Sequence, residues 1–449
     1  MSYPRTYEEA IASVDKRLMP ADWNAMKNRI DGFTPSGTFK SPYSYLIDFD
    51  GTDYHACNAF QTVYGGPDDE GGVDGTNIAA VSQAAIDATY TAGGGRVMFK
   101  AMDATFTSYL LLKPNVELLG EGMGCTILRF DGLPYGLKSA GTAGTPHAGL
   151  GIFNLQVAGD NNAVSAGVSL DYTYTAVRIS GVGISYFATG LKLDSCYAIG
   201  VDNCEINYNT YAGVDAYDSH GTSYIRTKTY GNLNGFILNN CCASSISHCD
   251  MEVNTGTGVI ITTHGIYNSV NAAVMYCYVE NNGKEVADSG ISTQIVGNYF
   301  RGSAIEGSET PYAVSTEGQG CQIRGNHFQL YDTADIWIVD TATDPVITGN
   351  YHYNGTAFLQ DDSPAGNAIV HDNPGYRTEA FGRFTIAGGS YATVTHNMDV
   401  QPNCLYLTFD DDASIVSYSW LNINETQTRI YTAAAGTFTG SWHAKYVKP

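Results

Sequence analysis

The sequence contains no long apolar run and few charged residues, and these two absences narrow the class of protein. No stretch of about 18 or more apolar residues occurs among the 449 residues, so neither a membrane-spanning helix nor membrane insertion is expected. The 23 Lys and Arg residues are outnumbered by 45 Asp and Glu, and the formal charge of −22 disfavours binding to nucleic acid. The first residues also lack the apolar core of a signal peptide, so we expect release by lysis or a dedicated route if the protein works outside a cell.

The composition is that of a folded protein. Hydrophobic residues make up 43% of the chain and charged residues only 15%, with 50 Gly and 32 Tyr, which is typical of a globular or solenoidal protein and not of a disordered one. The ten cysteines occur without a secretory signal, so we expect reduced thiols and not a disulfide framework.

A short motif recurs in the second half of the chain, consisting of an isoleucine, a turn with asparagine and then an aromatic residue. It reads IVGNYF from Ile295, IRGNHF from Ile323 and ITGNYHY from Ile347. Extending the aliphatic position in both directions gives a series with steps of 21 to 28 residues: Ile179, Val201, Ile225, Ile246, Val274, Ile295, Ile323, Ile347 and Ile369. Units of this size cannot bury their own apolar faces, so the repeat indicates a solenoid, and the alternating pattern within each unit indicates β-strands.

The position three residues after each of these aliphatic residues predicts how the solenoid turns its corners. Asparagine or cysteine occupies it in most units: Asn298, Asn326, Asn350, Cys204, Cys249 and Cys277. An asparagine at a corner can adopt the left-handed conformation while its amide bonds to the coils above and below, and a cysteine is small enough to stack in the same place. We therefore predict structural asparagines and buried, unreactive thiols at these positions.

The segment before the repeats, residues 74–130, resembles the start of the pectin-lyase-like superfamily of right-handed β-helices, which is common in viral tailspikes. In that pattern a helix caps the solenoid, here near 78–90 with Asp74 or Thr76 as N-cap. GGGRVMF then opens the first coil and NVELLGEGMGCTIL the second. The resemblance implies an all-β protein with a right-handed parallel β-helix over residues 44–375, and it leaves the activity open.

Both ends of the chain depart from the repeat. Residues 1–31 carry apolar side chains at helical spacing and are predicted to form a helical attachment segment, with a linker at 32–43. Residues 376–449 resemble the small β-modules that close viral fibres and are predicted to form an antiparallel β-sandwich for trimerisation or receptor binding. Together these resemblances imply a homotrimer on the virion surface, joined to other virion proteins through its N-terminus.

Outward side chains on successive coils line up in columns about 4.8 Å apart, and one such face gathers carboxylates, aromatic rings and an arginine. Rings stack on the apolar faces of sugars, while carboxylates bind hydroxyl groups or transfer protons. The candidate catalytic residues are Asp250, Glu252 and Glu280, and the candidate glycan-binding residues are Tyr278, Tyr299, Arg301 and Glu205. A rival cluster follows the second strand of the repeat and consists of Asp194, Asp215, Asp218 and His220.

Two functions are compatible with this pattern. The leading interpretation is a virion surface spike or fibre that binds a host-surface glycan or glycoprotein. The alternative is a polysaccharide depolymerase: a hydrolase would use two of the acids, and a lyase would use acids, a base such as Arg301 and Ca²⁺ to neutralise a uronate. The histidines lack metal-ligand spacing, so we predict no metal site, and Ca²⁺ is the one cofactor that the lyase alternative would add.

Overall fold

The computed structural model describes most of the chain from residue 44 onwards. The described ranges are 44–58, 75–161, 165–263, 269–302, 311–362, 368–374, 379–387, 391–395, 404–409, 418–424, 427–432 and 437–445. The helical segment predicted at 1–31 and the linker predicted at 32–43 lie outside these ranges.

The chain winds into a right-handed parallel β-helix, as predicted. Each coil, meaning one full turn of the solenoid, adds one strand to each of three sheets. Within the second and third sheets of 11 strands each, every strand pairs in parallel with the strand one coil before it. The sequence pattern revealed two strands per coil, and the structure shows three.

The first sheet has 14 strands and carries the isoleucines of the repeat. Its strands are β1 (Tyr45–Phe49), β2 (Tyr54–Asn58), β3 (Gly95–Phe99), β6 (Val116–Leu119), β9 (Gly151–Phe153), β12 (Tyr174–Ser180), β15 (Tyr197–Asp202), β18 (Ser223–Ile225), β21 (Ser245–Ser247), β24 (Ala273–Met275), β27 (Gln294–Val296), β30 (Gln322–Arg324), β33 (Val346–Thr348) and β36 (Ile369–His371). Within this sheet β1 and β2 form an antiparallel pair at one edge.

The second sheet follows the corner after each isoleucine. Its strands are β4 (Met102–Thr105), β7 (Thr126–Arg129), β10 (Gln156–Ala158), β13 (Gly183–Ser185), β16 (Glu205–Asn207), β19 (Lys228–Tyr230), β22 (Asp250–Glu252), β25 (Tyr278–Glu280), β28 (Tyr299–Arg301), β31 (His327–Gln329) and β34 (Tyr351–Tyr353). The third sheet completes each coil with β5 (Leu110–Leu112), β8 (Tyr135–Ser139), β11 (Ala166–Asp171), β14 (Thr189–Asp194), β17 (Ala212–Tyr217), β20 (Asn234–Asn239), β23 (Thr257–Thr262), β26 (Lys284–Asp288), β29 (Tyr312–Thr316), β32 (Ala334–Ile338) and β35 (Leu359–Asp361).

A helix, α1 (Ile78–Thr91), packs against the first strands of the solenoid, close to the predicted range. Its N-cap is Asn77, whose side chain accepts bonds from the first-turn N–H groups of Ala79 and Ala80, so the expected cap at Asp74 or Thr76 is wrong. Ile78, Val81 and Ile86 are buried against the first strands, which keeps these strands from pairing with another chain. No helix in the described part of the chain is both long and apolar enough to cross a membrane.

The core is a stack of aliphatic side chains, but two members of the predicted series are one residue out of register. Tyr224, and not Ile225, pairs with Val201 on the neighbouring coil; Tyr224 is fully buried, whereas Ile225 is 36% exposed. At the far end Val370 takes the place predicted for Ile369. Both errors occur where two adjacent residues are apolar, because only the hydrogen-bond register decides which of them points inward.

The asparagines after the first sheet form a buried ladder, as predicted. Each side-chain amide donates to the side-chain oxygen of the next member at 3.0 Å, in the order Asn298, Asn326, Asn350 and Asn373. The expected left-handed conformation of these asparagines is wrong: the residue before each of them takes the positive φ, in the order Gly297, Gly325, Gly349 and Asp372. Glycine adopts a positive φ without strain, and the side chain of the following asparagine forms the hydrogen bonds between coils.

A second ladder lies at the corner between the second and third sheets, a position for which the sequence pattern made no prediction. Its members are Asn209, Asn232, Asn254 and Asn282, whose side-chain amides are joined by hydrogen bonds of 2.8 to 3.1 Å. Cys204, Cys249 and Cys277 extend the first ladder towards the N-terminus as buried free thiols, as predicted. Burial raises the pKa of Cys204 to about 11, so its thiol stays protonated at neutral pH.

Three carboxyl groups are also buried inside the later coils. Asp288 accepts hydrogen bonds from the hydroxyls of Thr293 and Thr316, at 2.8 and 2.9 Å. Asp335 lies 2.6 Å from Nδ1 of His352, and burial raises its pKa to about 6 although the histidine opposes the shift. Glu285 is fully buried and has no cationic partner among the described residues, and burial raises its pKa to about 8.

The C-terminal part consists of two antiparallel sheets of three strands each, in agreement with the antiparallel β-module predicted there. One sheet contains β37 (Glu379–Ala387), β39 (Cys404–Phe409) and β42 (Thr437–Lys445); the other contains β38 (Tyr391–Thr395), β40 (Tyr418–Asn424) and β41 (Gln427–Thr432). The side chains of Leu405 in the first sheet and Ile430 in the second are buried.

Candidate functional site

The outer face of the second sheet, between β16 and β34, gathers the residues predicted to bind or cleave sugars. In most of these strands the middle residue is buried and the first and third point outward, so the face has two columns. The first column contains Glu205, Lys228, Asp250, Tyr278, Tyr299, His327 and Tyr351. The second contains Asn207, Tyr230, Glu252, Glu280, Arg301, Gln329 and Tyr353.

Lys228 is a member of this face that sequence counting missed. Counting from Ile225 leads to Thr229 on the face, but Thr229 is buried and Lys228 and Tyr230 point outward instead. The one-residue register error at Ile225 is the cause. The correct alignment puts a lysine directly between Glu205 and Asp250.

Lys228 joins two of the three candidate catalytic acids. Its Nζ lies 3.3 Å from Oδ2 of Asp250 and 2.9 Å from Oε2 of Glu252. Partial burial raises the pKa of Asp250, the charge of Glu252 raises it further, and Lys228 opposes both effects. Oδ1 of Asp250 is buried and has no hydrogen-bond partner, so nothing at this oxygen stabilises the charged form of the carboxyl.

Glu280, the third candidate acid, is held by two neighbours. Nη1 of Arg301 donates to Oε1 of Glu280 at 2.7 Å, and the hydroxyl of Tyr278 donates to Oε2. Burial, reinforced by this carboxylate, raises the pKa of Tyr278 to about 12, so the phenol remains a donor. Glu280 is also the direct cross-strand neighbour of Glu252, so all three acids lie on adjacent strands of one face.

Aromatic rings continue the face beyond the acids. Tyr278 and Tyr299 stack with ring centroids 5.5 Å apart and planes only 3° from parallel. His327 follows at 5.0 Å from Tyr299, and Tyr351 at 4.9 Å from His327. The hydroxyl of Tyr299 donates to Oε1 of Gln329 at 2.5 Å, which fixes the ring. The result is a row of four rings over four coils, ending in Tyr351, which is 43% exposed.

The remaining predicted residues are less well connected. Glu205 lies in the first column, on the strand next to Lys228, and is exposed. In the rival cluster, His220 lies 3.4 Å from Asp218, while Asp194 pairs across strands with Tyr217 and Asp215 with Lys192.

In the ranges that the structure describes, no group of three or more His, Cys, Asp or Glu side chains has an arrangement that could hold a metal ion. The acids of the second-sheet face are instead paired with lysine, arginine and tyrosine, an arrangement suited to hydrogen bonding with sugar hydroxyls.

The coil pattern and its columns define a right-handed parallel β-helix protein. Residues 166–328 match the family described as right handed beta helix region. No curated protein sequence matches the chain significantly.

Among solved structures, the chain is similar to tailspike protein gp49 from Pseudomonas phage LKA1, with a TM-score of 0.53, 12% identity, and coverage of 82% of this chain and 93% of that one. It is also similar to the A-module of the Azotobacter vinelandii mannuronan C-5 epimerase AlgE6, with a TM-score of 0.52, 16% identity, and coverage of 67% of this chain and 95% of that one. At identities this low, the structural similarity establishes a shared fold and no shared function. The same fold occurs in a phage tailspike and in an enzyme that acts on a polysaccharide.

Proposed function

We propose that the chain is a spike or fibre protein on the surface of a virion, and that it binds a host-surface glycan or glycoprotein through the outer face of the second sheet. The observation that carries this proposal is the row of Tyr278, Tyr299, His327 and Tyr351 beside the Glu280–Arg301 pair. Rings in a row offer stacking surfaces at each coil, and the ion pair offers both donors and acceptors to hydroxyl groups.

The charges of the face favour a neutral glycan. Its two columns carry four carboxylates, Glu205, Asp250, Glu252 and Glu280, against the two basic residues Lys228 and Arg301. Both bases are already paired with these carboxylates, at 2.7 to 3.3 Å. A polyanionic chain would meet two uncompensated negative charges here and is expected to bind more weakly than a neutral one.

Tyr299→Ala is expected to weaken glycan binding at least tenfold, because it removes the ring that stacks on Tyr278 and contacts His327. Binding is measured on an array of bacterial surface polysaccharides that includes neutral, amino-sugar and uronate-containing chains. Tyr90→Ala is the control, since Tyr90 is an exposed tyrosine on α1, away from the face. Unchanged binding by the Tyr299 variant would remove this face from the proposal.

The alternative proposal, a polysaccharide depolymerase, has its own supporting observation. Asp250 has a raised pKa and an unpartnered buried oxygen, and it lies on the same strand as Glu252, whose cross-strand neighbour is Glu280. One acid that holds a proton and one that does not is what glycoside hydrolysis requires. The polysaccharides of the array are therefore also assayed for released reducing ends and for new double bonds. Cleavage that Glu280→Gln abolishes while binding persists would make the protein an enzyme, and absence of cleavage favours the adhesin.

We further propose that three copies assemble through the C-terminal module and that residues 1–31 attach them to other virion proteins. Light scattering of the purified chain is expected to give three times its mass of 48.2 kDa. Removing residues 376–449 is expected to reduce this to the mass of one truncated chain, because the module is proposed to clamp the trimer. A monomer in both forms would contradict the trimeric spike.

A further inference from the structure

Three further tyrosines were not identified from the sequence: Tyr230 lies in the second column of the proposed binding face, and Tyr186 and Tyr208 lie beside that face. We propose that Tyr186, Tyr208 and Tyr230 form a second sugar-binding subsite, so that a neutral oligosaccharide lying along the rod axis contacts this subsite and the Tyr278–Tyr299 pair together. The inference rests on the proposed function and adds to it a second site, an orientation and a minimum ligand length.

The three rings form one cluster. Tyr186 and Tyr208 stack with centroids 5.6 Å apart and planes 9° from parallel, and Tyr230 meets the edge of Tyr208 at 5.5 Å. Tyr186 is 42% exposed and Tyr208 46% exposed, so the stacked pair leaves ring surface open to a ligand. Each ring is held in place by contact with its neighbour in the absence of ligand, so less side-chain conformational entropy is lost when a ligand binds.

The backbone at this cluster is held in a conformation that does not favour tyrosine. Tyr186 and Tyr208 occupy the corner after the second sheet with φ of 65° and 56°, and the next coil has Gly231 at the equivalent corner. A side chain in the left-handed region costs roughly 1 to 2 kcal/mol per residue compared with the usual helical region. Gly231 also makes room for the ring of Tyr208, since a Cβ there would lie 2.9 Å from it.

The two aromatic groups are linked by a continuous polar surface. Nζ of Lys228 lies 5.5 Å from the ring centre of Tyr230 and bridges to Glu252, the cross-strand neighbour of Glu280. A ligand bridging the two groups therefore passes over paired charges that can exchange hydrogen bonds with hydroxyl groups.

The strand spacing sets the ligand length. Three inter-strand steps separate β16, which precedes Tyr208, from β25, which carries Tyr278. At about 4.8 Å per step this is about 14 Å. A pyranose unit is about as long as one step, so a chain needs about four units to reach from Tyr208 to Tyr278, and a disaccharide can occupy only one of the two groups.

The test uses the array polysaccharide bound most tightly, cut into disaccharide, tetrasaccharide and hexasaccharide fragments. Affinities for wild type and Tyr208→Asn are measured by calorimetry. Asparagine is chosen because it tolerates the left-handed corner better than alanine does. We expect the hexasaccharide to bind wild type at least tenfold more tightly than the disaccharide, and Tyr208→Asn to remove this gain, so that the variant binds both fragments with similar affinity.

Three controls make the outcome unambiguous. Tyr186→Asn is expected to reproduce the effect of Tyr208→Asn, and Tyr90→Asn, which replaces a tyrosine on α1 that is also 46% exposed, is expected to change nothing. Thermal melts check that each variant is folded. Equal affinity for all fragment lengths, or equal weakening of all of them by Tyr208→Asn, overturns the second subsite while the proposed function stands. Absence of binding to every polysaccharide on the array overturns both.

Discussion

Replacing Asn326 with alanine is expected to lower the free energy of unfolding by about 4 kcal/mol or more, because one side chain satisfies four buried groups at about 1 kcal/mol or more each. Its Oδ1 accepts from the backbone N–H and the amide of Asn298, at 2.9 and 3.0 Å. Its Nδ2 donates to the carbonyl of Ile295 at 2.8 Å and to Oδ1 of Asn350 at 3.0 Å. Alanine would remove all four bonds inside the solenoid, where water does not replace them, and would leave Oδ1 of Asn350 with only the backbone N–H of residue 326.

The measurement is urea denaturation followed by circular dichroism. Gln322→Ala is the matched control, since this residue is an outward amide of the same coil, and its loss is expected to change stability by less than about 0.5 kcal/mol. If the two variants had equal stability, the ladder would contribute packing alone. Asn326→Asp is expected to be at least as harmful as alanine, because a carboxylate can accept from Asn298 but cannot donate to Asn350.

Replacing Glu285 with glutamine is expected to stabilise the protein in mildly alkaline solution and to have little effect in acid. The folded-state pKa of Glu285 is raised to about 8 by burial, above its value of 4.5 in the unfolded chain. Between these two pH values the unfolded chain releases a proton that the folded chain keeps. The stability that Glu285 contributes is therefore fully present below about pH 4.5 and is lost as the pH rises towards 8.

The expected difference is on the order of 4 kcal/mol at about pH 8, since the two pKa values differ by roughly 3.5 units and each unit corresponds to about 1.4 kcal/mol. Glutamine keeps the shape of the protonated acid and still accepts the bond that the amide of Asn282 donates to Glu285. Melting curves of wild type and variant are compared at about pH 5 and about pH 8. Asp288 and Asp335 also have raised pKa values, but they are present in both proteins and cancel in the comparison. If the melting temperatures of the two proteins changed by the same amount between these pH values, Glu285 would not be a buried group that ionises in this range.

The solenoid could be predicted from sequence because each coil places the same requirements on its residues. Every coil needs an inward aliphatic residue and a corner residue at similar places, so errors at single coils do not hide the period. The helix at 78–91 was found for a different reason, since a resemblance located it. What failed was the exact register at Ile225 and Ile369, where a neighbouring apolar residue fits the same pattern.

Strand register also decided which residues of the candidate face could be predicted from the sequence. Asp250, Glu252, Glu280, Tyr278, Tyr299 and Arg301 were placed together correctly, because their coils were aligned correctly. Lys228 was missed because of the register error at Ile225, and the ion pairs that it forms with Asp250 and Glu252 were missed with it. Glu285 could not have been singled out, because a carboxylate on a strand is normally exposed and only the three-dimensional register shows that this one points inward.

The three-sheet coil has a consequence for how such a protein changes over evolutionary time. Because each coil contacts only the coil before and the coil after it, a duplication of one complete coil inserts strands whose inward residues meet neighbours of the same kind. The asparagine ladders impose no fixed length, since every internal rung has the same pair of bonds. The rod can thus lengthen in steps of one coil, and each step extends the tyrosine-bearing face by the width of about one sugar. Adaptation to a longer or shorter surface polysaccharide would then need recombination between repeats and no redesign of the core.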